Sequence, residues 1–500
     1  AHVLVEEYQS TAAKPNQDSA LSIQADVTAP IAIVGMAASF GELVDLRQFQ
    51  TAIFNGRSAI QERPTDRWKS VDGVINPHLG TRGRYGAYLA DLGLRLGQFQ
   101  VPPNEIPDIL PQQLLMLKTG ADALVDAGLP LRDPRPRMGA TIGVSFDMEA
   151  TNFHLRWQLP GQVRKWNRIY AMGLTDDQCD QWAEALKAEI GPPLTAPRTL
   201  GALGGIVASR VAREFKLGGP SFIVSQEEAS GLRALEIAVR ALQQGDVDAM
   251  LVGAVDLCGD ARSVISLSHL SELSTGSTIR CFDRLADGTL VGEGSAAVVV
   301  KRLDDALADG DRVYAVIRGL GSATGLCEGE APATATADVY ERSTRQCLTE
   351  AELAPTQVDL FETHGSGAPV EDAAETAALR ALLPAATSDK RPATAALGAL
   401  KPITGHTGAA AGLASTVKAA LSLHHRILAP LPAFSEAADT HLKDHGIHLP
   451  VFPSHWLKDR NQGPRRACVG TMTRDGGCAH LLLEEAPRVE TSTGASVAGD

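Results

Sequence analysis

The chain has 500 residues, 46 Lys and Arg against 59 Asp and Glu, a formal net charge of −13, and 44% hydrophobic residues. That composition describes a core-forming globular protein and excludes a general nucleic-acid surface, which needs a concentrated basic face. No stretch approaches the roughly 18 apolar residues that suggest a membrane span, and no signal-peptide pattern is present, so a cytoplasmic location is expected.

In chain order, residues 1–7 (Ala-His-Val-Leu-Val-Glu-Glu) echo residues 479–485 (Ala-His-Leu-Leu-Leu-Glu-Glu), and the polar run 9–29 reads as a linker. Short β-branched runs at 31–35, 140–144, 249–255, 296–301 and 313–318 predict strands of a buried sheet, with helices at 111–127 and 231–244 between them. Such alternation points to an α/β architecture with sheets covered by helices. The apolar residues 221–224 predict a short strand, and Leu232, Leu235, Val239 and Leu242 share one face of the helix that follows. A tight strand-to-helix turn of this kind presents a nucleophile to the positive end of a helix. This turn carries Glu227 and Glu228 instead. Two basic clusters, Arg156, Arg164, Lys165 and Arg168 with Trp157 and Trp166, and Arg465 with Arg466, are candidate docking spots for an acidic partner or simply solvated charge. The seven cysteines lack metal-type spacing, so reduced buried thiols and no metal site are expected. The Ser-, Thr-, Gly- and Ala-rich tail within 487–500 reads as a second linker.

Val224-Ser-Gln-Glu-Glu-Ala-Ser-Gly-Leu232 resembles the nucleophile turn of the β-ketoacyl synthase family, which usually reads Val-Asp-Thr-Ala-Cys-Ser-Ser-Ser-Leu. Glu228 takes the cysteine position. Glu362-Thr-His-Gly-Ser-Gly-Ala-Pro369 and Leu400-Lys-Pro-Ile-Thr-Gly-His-Thr407 resemble the family's two histidine blocks, so His364, Lys401 and His406 fall on its catalytic positions. The resemblance runs from about residue 30 to 486. It implies a thiolase-like fold, a five-layer α-β-α-β-α sandwich of two related halves, at 30–285 and 286–486. It also implies a dimer joined through the strand Pro220, Ser221, Phe222, Ile223 and Val224. Residues 1–8 then resemble the tail of a preceding ketosynthase domain, the expected heterodimer partner.

Condensation needs a thiolate to carry the acyl chain, imidazoles for the enolate, and oxyanion donors. Glu228 would form a mixed anhydride far more hydrolysable than a thioester, so no elongation is expected. Where the family has a Phe-gated Gly-Phe-Gly-Gly loop, this chain has Arg474, Asp475, Gly476 and Gly477, and a charged gate cannot close an apolar tunnel. Arg474 is a candidate partner for Glu227 or Glu228. Cys478, in the same loop, lacks the oxyanion turn and base of a relocated nucleophile. These departures resemble the chain length factors of polyketide synthases, which pair with an active ketosynthase and shape its acyl tunnel, and Gly201-Ala-Leu-Gly-Gly-Ile-Val-Ala-Ser-Arg210 with Gly218-Gly-Pro-Ser221 and Ser230-Gly-Leu-Arg-Ala-Leu-Glu236 resembles the chain length factor domain of polyunsaturated fatty acid synthases. Two alternatives stand beside that reading: a malonyl decarboxylase using His364 and His406, and a purely structural dimer partner. No bound cofactor is expected; substrate would arrive on the phosphopantetheine arm of an acyl carrier protein.

Overall fold

The computed structural model describes residues 28–487, apart from 69–70, 90, 96, 149–151, 191–192, 194, 326–335 and 386–393. The expectations for 1–8, for 9–27 of the first linker and for 488–500 of the second lie outside the described residues.

Ten strands build the frame. The first half contributes β1 (Ile31–Phe40), β2 (Met138–Val144), β3 (Ser221–Val224), β4 (Ala249–Leu257) and β5 (Val291–Arg302); the second contributes β6 (Ala315–Thr324), β7 (Leu360–Thr363), β8 (Ala395–Ala399), β9 (Arg466–Met472) and β10 (Gly477–Glu485). The spatial order is β3-β2-β4-β5-β1 in one half and β8-β7-β9-β10-β6 in the other. Pairing directions repeat as well. From the outer edge inward, β3–β2 and β2–β4 are parallel while β4–β5 and β5–β1 are antiparallel, and the second half follows the same sequence of directions. The halves are therefore two copies of one topology. They meet where Ile31, Ala32 and Ile33 of β1 pair antiparallel with Ile317, Val316 and Ala315 of β6.

Helices fill three layers around these sheets. Helix α1 (Pro111–Asp126) covers the outer face of the first sheet, and α2 (Asn152–Ile169) and α3 (Asp176–Ile190) form a hairpin beyond β2. Helix α4 (Ser230–Gln243) lies between the sheets beside α7 (Ala411–His425), while α5 (Ala337–Glu350) and α6 (Pro369–Leu382) cover the outer face of the second. The strands are apolar on both faces because both are covered. Val298 and Val300 of β5 join the central core with Leu235, Val239 and Val417, whereas Ala297 and Val299 join the outer core with Leu115 and Leu117. This period-two division is the strand's own geometry.

Two boundaries move relative to the sequence reading. Strand β5 pairs with both β1 and β4, so it belongs to the first half, and the division falls between Arg302 and Ala315 and not at 285. Strand β6 runs on past 318 through Gly319 and Gly321, where a side chain would strike the Cys347 and Ser343 carbonyls. Glycine there marks the close approach of α5 and not a strand end.

His480, on β10, is buried under α5: Ser343 Oγ lies 2.8 Å from Nδ1, Thr344 Oγ1 lies 3.1 Å from Nε2, and the Tyr340 ring stacks edge-on at 4.4 Å. Burial pushes its pKa down to about 3. The folded value lies below the unfolded one, so the unfolded chain takes up the proton first; this stability is present above about pH 6.5 and is lost as pH falls toward 3. Between pH 7 and pH 4.5 the wild type should lose about 2 to 3 kcal/mol more than His480→Gln in urea unfolding. Equal losses would remove His480 from the acid response.

Candidate functional site

Glu228, His364, His406, Lys401 and Arg474 converge at the carboxyl ends of β3, β7, β8 and β9, where open α/β sheets place ligands. After β3 the chain turns through Glu227, which takes a left-handed φ of 43°. Ser230 ties this turn together, its hydroxyl accepting from the Gln226 N–H at 2.8 Å and donating to the Glu227 carbonyl at 2.6 Å. Glu227 thereby stays exposed, and Glu228 points inward with 2% exposure at the N-terminal end of α4.

Arg474 meets Glu228 twice: Nη2 lies 2.8 Å from Oε1, and the backbone N–H donates to Oε2 at 3.3 Å. Burial pushes the Glu228 carboxyl up while Arg474 pulls it back. Both of its oxygens accept from Arg474 donors. The guanidinium comes from the turn between β9 and β10, shaped by the Thr473 and Gly477 bonds (Thr473 N–H to Gly477 carbonyl, Gly477 N–H to Thr473 Oγ1, both 2.8 Å) and by Gly476 at φ 80°. Asp475 accepts from the Thr473 hydroxyl and from the Gly477 N–H, and so serves the turn itself.

The histidines are held by backbone. The His364 and Gly365 N–H groups donate to the two Glu375 oxygens at 2.8 and 2.7 Å, and the Lys401 ammonium donates to the His364 carbonyl. The His406 N–H donates to the Leu290 carbonyl at 2.7 Å, and its carbonyl accepts from Gly292 at 3.0 Å. The two rings stand 5.6 Å apart at 74°. Met472 N–H donates to His364 Nδ1 at 3.2 Å and Gly408 N–H to His406 Nδ1 at 3.3 Å, which leaves the proton of each neutral ring on Nε2. Burial, then the Lys401 charge, brings His364 down to about 4 and holds His406 well below its usual range, so both are neutral at pH 7. Burial likewise lowers Lys401.

Two carboxylates in the site were missed by the sequence reading. Asp256, at the end of β4, is buried and accepts from the Ser145 hydroxyl and, at 2.9 Å, from the Ala409 N–H. Glu371, in the first turn of α6, lies 3.5 Å from His364 Nε2. Other candidates sit elsewhere or do other work. Cys478 is buried in β10, and burial pushes its thiol up beyond any thiolate role. Arg465 and Arg466 are spent on Glu485 and Glu484 at 2.8 Å each, so they are no docking patch. Arg164 pairs with Asp180 at 2.6 Å and Trp166 packs on Trp182, which leaves Lys165, Arg168 and Trp157 exposed on the α2–α3 hairpin. Strand β3, with Phe222 40% exposed, forms one edge of the sheet.

A pocket of about 700 Å³ is lined by Trp68, Leu89, Leu155, Ile190 and Leu257 among others. Its wall also includes Asp147, close in sequence to the Ser145 that bonds Asp256. No helix among the described residues is long and apolar enough to cross a membrane.

Compared with known proteins, the chain matches the family described as "Beta-ketoacyl synthase, N-terminal domain" over residues 28–306 and the corresponding C-terminal domain over 314–435. It is similar to pikromycin polyketide synthase component PikAIII of Streptomyces venezuelae, 32% identical over 475 residues, covering 93% of this chain and 28% of that protein. It is also similar to a polyunsaturated fatty acid synthase polypeptide of a Thraustochytrium species, 28% identical over 472 residues, covering 91% and 16%. The chain thus spans less than a third of the length of these curated relatives. Among solved structures it is similar to the oxazolomycin ketosynthase domain OzmH KS7 of Streptomyces albus, with TM-score 0.76 and 26% identity over 93% of this chain and 75% of that one. The ketosynthase from module 6 of the Bacillus subtilis bacillaene synthase superposes with TM-score 0.72 and 25% identity, covering 92% and 72%.

Proposed function

Since the chain belongs to the β-ketoacyl synthase family, we propose that it is a non-condensing member, a chain length factor that pairs with an active ketosynthase during cytoplasmic polyunsaturated fatty acid or polyketide synthesis. The observation that carries this reading is the Glu228–Arg474 ion pair standing where a thiolate would have to form, 2.8 Å long and with Glu228 2% exposed. A carboxylate committed to a guanidinium cannot accept an acyl chain in a productive thioester-like linkage. Strand β3 supports the partner: among the described residues its outer edge is unpaired, and Phe222 is exposed on it, features that favour pairing with another chain. The partner ketosynthase would be the preceding domain, and an acyl carrier protein would deliver substrate on its phosphopantetheine arm.

The pocket lined by Asp147 and Leu257 supports a role in setting product length, because its walls are chiefly apolar. Reconstituting the companion ketosynthase with carrier and malonyl units tests the reading. Elongation should require this domain, survive His364→Ala and His406→Ala in it, and shift toward shorter acyl chains with Leu155→Trp. Elongation by the companion at full rate and unchanged length without this domain would refute the reading.

A further inference from the structure

Each imidazole of the pair faces its own carboxylate. His406 Nε2 lies 3.8 Å from Glu228 Oε1, and His364 Nε2 lies 3.5 Å from Glu371 Oε2. The Met472 and Gly408 N–H groups that fix both rings as Nε2–H donors thereby create the donor pair that a thioester oxygen would use when a malonyl group loses carbon dioxide. Here both donors are aimed at anions. Glu371 is firmly placed: its side chain is 20% exposed in the first turn of α6. Burial would push its carboxyl up, but the His364 imidazole, the Ser366 hydroxyl and the Lys401 charge hold it down at about 2.

We propose that Glu371 is a specificity-determining residue which, together with Glu228, excludes anionic acyl thioesters of the malonyl type from the histidine pair. A malonyl carboxylate entering beside the rings would meet two fixed anions. The Arg474 guanidinium is already committed to Glu228 at 2.8 Å, and the Lys401 ammonium donates to the His364 carbonyl. Like charges held at such distances in a buried site repel far more than in water. The proposal rests on the non-condensing reading and deepens it: Glu228 removes the nucleophile, and Glu371 completes the barrier to the extender unit. The blocked step is defined. The bond between malonyl C2 and its carboxylate breaks, the electron pair passes to the thioester oxygen as an enolate held by the two Nε2–H donors, carbon dioxide leaves, and C2 takes a proton from water to give the acetyl thioester.

The test uses the full chain and malonyl-pantetheine labelled in its free carboxyl, with carbon dioxide, acetyl-pantetheine and acetoacetyl product measured together. The wild type and Glu371→Gln should stay at background. Glu228→Gln should release carbon dioxide at least about tenfold more slowly than Glu228→Gln/Glu371→Gln, and His364→Ala should abolish release by the double variant. The proposal is overturned if Glu228→Gln alone matches the double variant, or if a folded double variant stays at background. Should the glutamine pair lose its thermal unfolding transition, Glu228→Gln/Glu371→Ser is read by the same criteria. Acetoacetyl formation by the wild type would sink the non-condensing reading; wild-type carbon dioxide release without it would sink the Glu371 proposal alone.

Discussion

Arg474→Ala should destabilise the protein by about 3 kcal/mol, at the low end of what stranding a buried charge costs, whereas Glu228→Gln should cost no more than about 1 kcal/mol. The asymmetry follows from exposure. Glu228 is 2% exposed and, without Arg474, keeps only neutral His406 at 3.8 Å and the more distant Lys401 charge against the like charges of Glu227 and Glu371. Arg474 is 24% exposed, so its guanidinium can reach water when the carboxylate is gone. The double variant Arg474→Ala/Glu228→Gln should recover most of the loss, because an isolated amide needs hydrogen bonds but no counter-ion. Chemical denaturation of the four proteins checks this. Equal costs for the two single substitutions would mean that the pair does not act as a buried ion pair.

A still larger effect is expected deeper in the molecule. Lys418 of α7 donates to Glu362 Oε1 at 2.9 Å and lies 2.8 Å from Oε2, with side-chain exposures of 2% and 0%, and it also donates to the Ala399 carbonyl at 2.9 Å. Glu362 is in β7, two residues before His364, and Ala399 ends β8, two residues before Lys401, so this one ammonium joins the central helix to the strands that lead into His364 and Lys401. Lys418→Met should cost about 4 to 5 kcal/mol by leaving the carboxylate alone in the core. Adding Glu362→Gln should restore most of that stability, and a double variant as unstable as Lys418→Met would show that packing and not charge governs the site. The histidine-ring environment, followed by NMR, should shift in Lys418→Met and return in the double variant.

How much of this could be read in the sequence follows from how each residue is specified. His364, Lys401 and His406 lie in short contiguous blocks with fixed neighbours, and the glycines around them are dictated by local backbone needs, so their convergence was legible. Glu371 was not: it sits beside Asp372 in the first turn of a helix, where any acidic residue is favourable, and only the packing of α6 decides which one faces His364. Asp372 instead accepts from the Phe282 and Gly367 N–H groups at 2.6 and 3.2 Å. Asp256 escaped because the apolar run that predicts β4 stops one residue before it, and its burial depends on Ser145 and Ala409 from distant elements. The strand limits at β5 and β6 were obscured for a related reason. Glycines that admit another element read locally as breaks.

The seam between the halves has a consequence for how the unit can be strung. Ile31 pairs with Ile317, and Ile317 pairs in turn with Leu483. The first strand therefore starts, and the last strand finishes, about 10 Å apart, two strand spacings across a single sheet. Any polypeptide continuing past either strand leaves from one spot on the surface, so the unit can hang from it like a bead on a loop.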